Sequence, residues 1–280
     1  MKIYFVQKQS EGDTEAQLVA MREAGFEFVD LEQAEIIYCA SITAMKQTLI
    51  AKDLKKIPLV VYCWDYYLWA HEKQNMSGDW RLYAKLLRLA DLILVPSTGQ
   101  KRRLKELLGL KSTVVLSGAT TFEQPISDER YILNPLREYP EENNGWVEKA
   151  AKELNIPVIT TNHGLTYDEY QYTVAKCSFI ASVYREASTG GLSLIEGLWL
   201  GKPSLISNSP YQGANDYVGK YARTFQYDSF DELKVVMKKM WDKTPVVDLL
   251  KARNYITKKL TYKSMSASIK EKIHDLLGVS

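Results

Sequence analysis

The segment STGGLSLIEGLWLGKPSLIS, Ser188 to Ser207, carries the residues best suited to chemistry. Gly190 and Gly191 follow the β-rich run FIASVY and precede a helical pattern that begins near Ser193. The backbone N–H groups of Gly191, Leu192 and Ser193 at such a helix start, together with the positive end of its dipole, suit a phosphate or diphosphate. Glu196 lies about one turn further on, on or near the face toward that loop, where a carboxylate accepts two hydrogen bonds from a ribose diol. Gly201, Lys202 and Pro203 then end the helix and open the next strand. The plainer alternative is a Gly-rich strand-to-helix turn with a solvated Glu. A Walker loop is excluded, because no second Gly followed by Lys and Ser or Thr stands at the required distance from Gly190.

A second group is aromatic. Tyr62, Trp64, Tyr66, Tyr67 and Trp69 crowd one stretch, with Trp80 and Tyr83 nearby. Flat sugar faces stack on such rings, so a carbohydrate or lipid-linked acceptor is a candidate ligand. Tyr62 and Leu68 read better as core, but an extended segment cannot turn all the others inward. Two basic runs, Lys101–Lys111 and Lys251–Lys263, are either solvated helix faces or contacts for an anionic membrane or polyanionic acceptor.

Other chemistries are excluded early. Cys39, Cys63 and Cys177 are odd in number and widely spaced, and His71, His163 and His274 form no ligand pair, so neither a disulfide framework nor a zinc site is expected. With 36 Lys+Arg against 34 Asp+Glu, the net charge of +2 is too balanced for a dedicated nucleic-acid binder. The start of the chain shows no export signal and no run reaches the roughly 20 apolar residues of a spanning helix, which points to the cytoplasm.

The elements that must position these residues alternate along the whole chain. KIYFVQ, FEFVDL, EIIYCA, PLVVYCW, DLILVPS and TVVLSG read as strands; Glu15–Ala24, Ile42–Leu54, Trp80–Ala90 and Gln100–Leu108 carry apolar residues at helical spacing. The polar stretch Ala119–Glu129 reads as a linker. The alternation then restarts with RYILNPL, a helix over Asn144–Leu154, PVITTN, a helix over Tyr167–Cys177 and FIASVY. It continues with Leu194–Trp199, PSLIS, a strand near Thr224, a helix over Phe230–Trp241 and helical segments to the end. The fold class is α/β, with two doubly wound domains. Open sheets of this kind bind ligands at the carboxyl ends of their strands, here across one cleft.

With those residues in view, the Ser188–Ser207 segment resembles the E-G-F-G-L-P-x-x-E-A-x-x-x-G-x-P-V-I-x-S block of retaining, nucleotide-sugar-dependent glycosyltransferases of the GT-B fold, family four-like. Further blocks match in order: SEGDTEAQLVAMREAGFEF, PLVVYCWDYYLWAH, ADLILVPSTGQKRRLKELLG, YILNPLREYPEENNG, TYDEYQYTVAKCSFIASVY and GANDYVGKYARTF. The resemblance implies two Rossmann-like domains, 1–122 on the acceptor side and 123–262 for the nucleotide sugar, with 263–280 returning as a helix to the first. Ile269, Ile273, Leu276 and Leu277 form the stripe for that return.

The resemblance also assigns roles. Glu196 matches the second Glu of the E-x7-E pair, which holds the nucleotide ribose; Arg137 matches the Arg on the diphosphate, whose alternative is a surface cation. Gly12 matches the amino-domain glycine loop. Ser188 stands in place of the first Glu, Glu142 in place of a second diphosphate-binding Lys, and Trp64 in place of a His on the donor sugar, followed by Asp65 as in the family. The site is therefore short of positive charge, and Lys202 or Lys220 is a candidate to supply it. The implied activity is transfer of a hexose-type sugar from a nucleoside diphosphate donor to a hydroxyl with retention, requiring no metal and no cofactor beyond the donor. Ser188 and Glu142 also motivate a non-catalytic binding subunit, and a sugar-nucleotide epimerase or hydrolase is a third alternative.

Overall fold

A computed structural model describes residues 1–6, 12–40, 44–63, 79–135, 145–161, 165–183, 191–211 and 213–279. The chain divides into two compact units, one made of Met1–Gly118 with the chain from Thr261 onward, the other of Ala119–Leu260. The divisions thus follow Gly118 and Leu260, a few residues before the expected 122 and 262.

The first unit is a parallel six-stranded sheet, β1 (Lys2–Val6), β2 (Glu27–Phe28), β3 (Ile36–Cys39), β4 (Leu59–Tyr62), β5 (Leu92–Val95) and β6 (Thr113–Val114), in the order β2-β1-β3-β4-β5-β6. Strands β3 and β4 are buried along their length, as continuous apolar runs covered on both faces must be. Its helices are α1 (Gly12–Glu23), α2 (Met45–Leu54), α3 (Asp79–Leu89) and α4 (Thr98–Leu108). Ser97 caps α4 through the Gln100 amide, and left-handed Gly109 (φ 69°) ends it.

The second unit is a parallel five-stranded sheet ordered β11-β10-β9-β7-β8. Its strands are β7 (Ile132–Asn134), β8 (Val158–Thr160), β9 (Phe179–Ser182), β10 (Ser204–Ser207) and β11 (Ala222–Phe225). The helices are α5 (Trp146–Leu154), α6 (Tyr167–Lys176), α7 (Leu192–Trp199), α8 (Ala214–Val218), α9 (Phe230–Asp242) and α10 (Leu249–Lys259). Thr166 and Glu169 close a capping box at the start of α6. Ile132, Val147, Phe179, Leu205, Phe225 and Met237 make the core between sheet and helices.

The last helix, α11 (Tyr262–Leu277), belongs to the first unit. Tyr262, Met265, Ile269 and Ile273 are buried with Ile3, Met21, Phe26 and Tyr62, and Leu276 packs beside them. Leu277 departs from the expected stripe: it is exposed, because the buried face runs through Tyr262, Met265, Ile269 and Ile273 at helical spacing and leaves the last residue outside.

Entry into α11 depends on Gly118. A Cβ there would lie 2.3 Å from the Tyr262 nitrogen and 2.5 Å from its Cα, and backbone has no rotamer by which to withdraw. Gly118→Ala should therefore cost about 1–3 kcal/mol, the usual range for overpacking. Gly219→Ala, where an added Cβ meets nothing within 4 Å, should be tolerated. Urea unfolding midpoints of both variants, with equal losses counting against the close approach, check this.

Candidate functional site

In a parallel sheet all strands end at one edge, and helices that follow them run back antiparallel. In the second unit β9 ends at Ser182, and α7 starts at Leu192 with Gly191 as its N-cap. Gly191 has extended backbone (φ −156°, ψ 92°) and no side chain to cap the helix. Its carbonyl already accepts from the amides of Leu194 (3.0 Å) and Ile195 (3.2 Å), so the first-turn amides of Leu192 and Ser193 point the helix's positive end toward the carboxyl edge. The expected start near Ser193 lies within one residue of the observed one.

Helix α7 is drawn close to the sheet by Gly197. A Cβ there would come within 2.1 Å of Ile180 Cδ1 on β9, so a larger residue would require the Ile180 side chain or the helix to shift. Its far end is held by Arg253, which donates from Nε to the Trp199 carbonyl (3.0 Å), lies 4.7 Å over the Trp199 ring and pairs with Glu123 (3.0 Å). A cation on the last carbonyls also complements the negative end of the dipole.

Glu196 is 7 % exposed, a depth at which a carboxylate needs partners. The hydroxyl of Tyr170, on α6, donates to its Oε2 at 2.7 Å. The Ser193 side chain hydrogen-bonds the same phenol. Burial first, then the Glu196 carboxylate, hold the Tyr170 phenol well above the ordinary tyrosine value, so it stays a donor. Tyr170 stacks on Tyr167 (6.4 Å between centroids), and Phe122 meets Tyr167 edge-on. The alternative of a solvated Glu196 is excluded by this burial. Tyr170 was missed from sequence, since nothing in helical spacing tells which neighbour a tyrosine will reach.

A second polar cluster lies at the same edge. Asn134, ending β7, and Thr160, ending β8, both donate to Glu148 Oε1 in the first turn of α5 (2.5 and 2.7 Å). It ties down the chain on either side of residues 136–144. Arg137 and Glu142 belong to that stretch and lie outside the described residues, as do Trp64, Asp65, Ser188 and Gly190.

The two spare cations are elsewhere. Helix α7 runs from the carboxyl edge to the amino edge, so Lys202, after it and before β10, is at the wrong end for a ligand at Gly191. It is 5 % exposed, its ammonium donates to the Ser127 carbonyl (2.6 Å), and burial holds its pKa below the ordinary lysine value. Lys220 lies between α8 and β11, also at the amino edge, 4.8 Å from both the Tyr221 and Tyr255 rings. Neither meets the expectation that it completes the anion site. A pocket of about 730 Å³, lined by Arg223, Met240 and Val246 among others, involves the end of α9 and is likewise away from Glu196.

In the first unit, Gly12 is the first residue of α1, following β1. The aromatic stretch is described only at Tyr62 and Tyr83. Both are core: Tyr62 donates to the Val115 carbonyl (2.7 Å) and Tyr83 to Cys63 Sγ, so Tyr83 is withdrawn as an acceptor contact. Gln100 Nε2 donates to the Cys63 carbonyl (2.7 Å), which fixes where the chain leaves β4. The basic run 101–111 lies mainly on the exposed face of α4, whereas 251–263 is divided between α10 in one unit and the start of α11 in the other.

No family model and no curated protein sequence matches the chain. Solved structures do. The Anabaena protein Alr3699/HepE, in complex with UDP and glucose, superposes with a TM-score of 0.74 over 98 % of this chain and 100 % of its own at 15 % identity. Sucrose-phosphate synthase from Thermosynechococcus elongatus gives 0.71 over 88 % and 75 % at 10 % identity. The lipopolysaccharide outer core galactosyltransferase WaaB gives 0.69 over 98 % and 100 %, also at 10 % identity. The fold is that of the GT-B glycosyltransferases.

Within that fold Lys202 has a structural post. Lys202→Met should leave unchanged whatever nucleoside diphosphate affinity calorimetry finds in the wild type, and a large loss would return Lys202 to the anion site.

Proposed function

We propose that the chain is a glycosyltransferase moving a sugar from a nucleoside diphosphate donor to a hydroxyl of a glycan or lipid-linked acceptor, with retention of configuration and without a metal. The observation that carries this reading is the placement of Glu196. It is a buried carboxylate on the helix whose amino terminus, N-capped by side-chain-less Gly191 at the carboxyl edge of a parallel sheet, is suited to a diphosphate. A diphosphate on the amides of Leu192 and Ser193 puts the adjoining ribose within reach of a carboxylate one turn along. Two acceptor oxygens match a vicinal diol. The UDP and glucose bound to HepE, a protein of the same fold, support this class of donor and make UDP-glucose the first to try.

In this reading charge developing on the leaving diphosphate is met by the α7 dipole and by Arg137, a preorganised electrostatic stabilisation that needs no metal. Gly12, Gly190 and Gly191 allow backbone to approach phosphate; Trp64, Asp65 and Ser188 take the positions that the resemblance gives to the transferred sugar and its neighbours. The protein acts in the cytoplasm, with the basic face of α4 available to an anionic acceptor or membrane surface. No helix among the described residues is long and apolar enough to cross a membrane.

A second reading, a binding subunit without turnover, is motivated by Ser188 and Glu142, and one experiment separates the two. Calorimetry with UDP, GDP, ADP and CDP should show selective binding, followed by sugar transfer or slow donor hydrolysis with the matching sugar nucleotide. Binding without either, or no nucleotide binding at all, supports the non-catalytic binding or partner subunit. Glu196→Gln should cost about 1.5–3 kcal/mol, a roughly tenfold to hundredfold weaker nucleotide affinity.

A further inference from the structure

The phenol that touches Glu196 comes from a different helix, 26 residues earlier in the chain, and its approach is determined from several sides. The Thr166–Glu169 capping box fixes the first turn of α6. Tyr167 stacks one turn before Tyr170 on the same face, and Phe122 braces Tyr167 from the edge. Gln124 Nε2 donates to Gln171 Oε1, joining the same helix to the preceding segment. The Tyr170 hydroxyl then lies 2.7 Å from Glu196 Oε2, with Ser193 on the same oxygen network.

A glutamate side chain has three torsions. Without a fixed partner its carboxylate would sample several orientations, and only some would present it toward the carboxyl edge. A charged acceptor sharing one oxygen with a rigid donor loses that freedom before the ligand arrives. Preorganisation of this kind raises affinity by reducing what binding must otherwise order.

We propose that Tyr170 is a positioning residue of the donor site, setting the orientation of the Glu196 carboxylate and thereby the selectivity of the protein for ribonucleotides over 2′-deoxyribonucleotides. This rests on the reading of Glu196 as the ribose ligand and goes beyond it in naming a second residue, outside the helix that holds the nucleotide, as the source of selectivity. The burial that keeps Tyr170 protonated makes the donor permanent across the physiological range.

The test is a double-mutant cycle. Wild type, Tyr170→Phe, Glu196→Gln and the double variant are titrated with UDP and 2′-deoxy-UDP, with GDP and 2′-deoxy-GDP, and ADP and 2′-deoxy-ADP, in parallel. Phe keeps the ring and its stacking on Tyr167, and melting temperatures of all four proteins confirm folding. Tyr170→Phe should weaken the ribonucleotide about tenfold and the deoxynucleotide clearly less, and should add little when Glu196→Gln is already present, since coupled residues are non-additive. Equal losses on both nucleotides, or losses that simply add, overturn the positioning role while leaving Glu196 as ribose ligand. If Glu196→Gln itself binds ribo- and deoxynucleotides like wild type, the ribose reading fails and the role of Tyr170 with it.

Discussion

A carboxylate withdrawn from water constrains everything around it, and Glu196 is that carboxylate, being 7 % exposed. An isolated buried charge is costly enough that it either neutralises or is supplied with donors. One such donor is the Tyr170 hydroxyl, which requires α6 to lie beside α7 with the correct residue in register. That in turn requires α7 to lie low on the sheet. Gly197 permits this by leaving room for Ile180 Cδ1, although glycine inside a helix sacrifices about 1 kcal/mol of propensity relative to alanine. The local rule is broken where the tertiary contact demands it.

The opposite end of the same helix shows why the spare lysine is not a ligand. The last turn of α7 ends in carbonyls at the amino edge of the sheet, and Arg253 takes the one from Trp199. Lys202, three residues beyond Trp199, reaches instead to Ser127 at the start of the unit. Both cations are thereby assigned to closing the helix and anchoring the incoming chain. Among the described residues, positive character at this edge comes from the amide groups of the first turn of α7. A lysine close to the motif in sequence is thus not a cation in the site, because position along an antiparallel helix decides which edge a side chain serves.

Much of the fold was legible because parallel sheets announce themselves. Runs such as PLVVYCW and DLILVPS are apolar at successive positions, which only a strand covered on both faces requires, and they alternate with amphipathic helices. Gly191 and Glu196 were legible for a related reason: a small-residue loop between a strand and a helix, followed one turn later by an acid, is a local pattern. Tyr83 was left open, because a polar-tipped ring near an aromatic-rich stretch fits a sugar as well as a core, and its burial and the contact of its hydroxyl with Cys63 Sγ assign it to the core. Leu277 was misread because adjacent positions 276 and 277 are about 100° apart on a helix, so with Leu276 packed on the core Leu277 falls to the edge of the stripe.

The contacts that could not be read are those set by tertiary register. Tyr170, Asn134 and Thr160 are ordinary helix and strand residues until the sheet places them. Asn134 and Thr160 end adjacent parallel strands, paired residue for residue through Ile132 with Val158 and Leu133 with Ile159, so their side chains arrive together on Glu148. A one-residue slip in that pairing would turn one of them to the opposite face and leave the carboxylate with a single donor. The same logic applies to Tyr170 and Glu196: each lies on a helix whose rotation is fixed by its apolar face, and the hydrogen bond forms because both faces are satisfied at once. The polar contacts at the carboxyl edge are consequences of how the apolar core seats its helices, and local supports such as the Thr166–Glu169 capping box then fix them further.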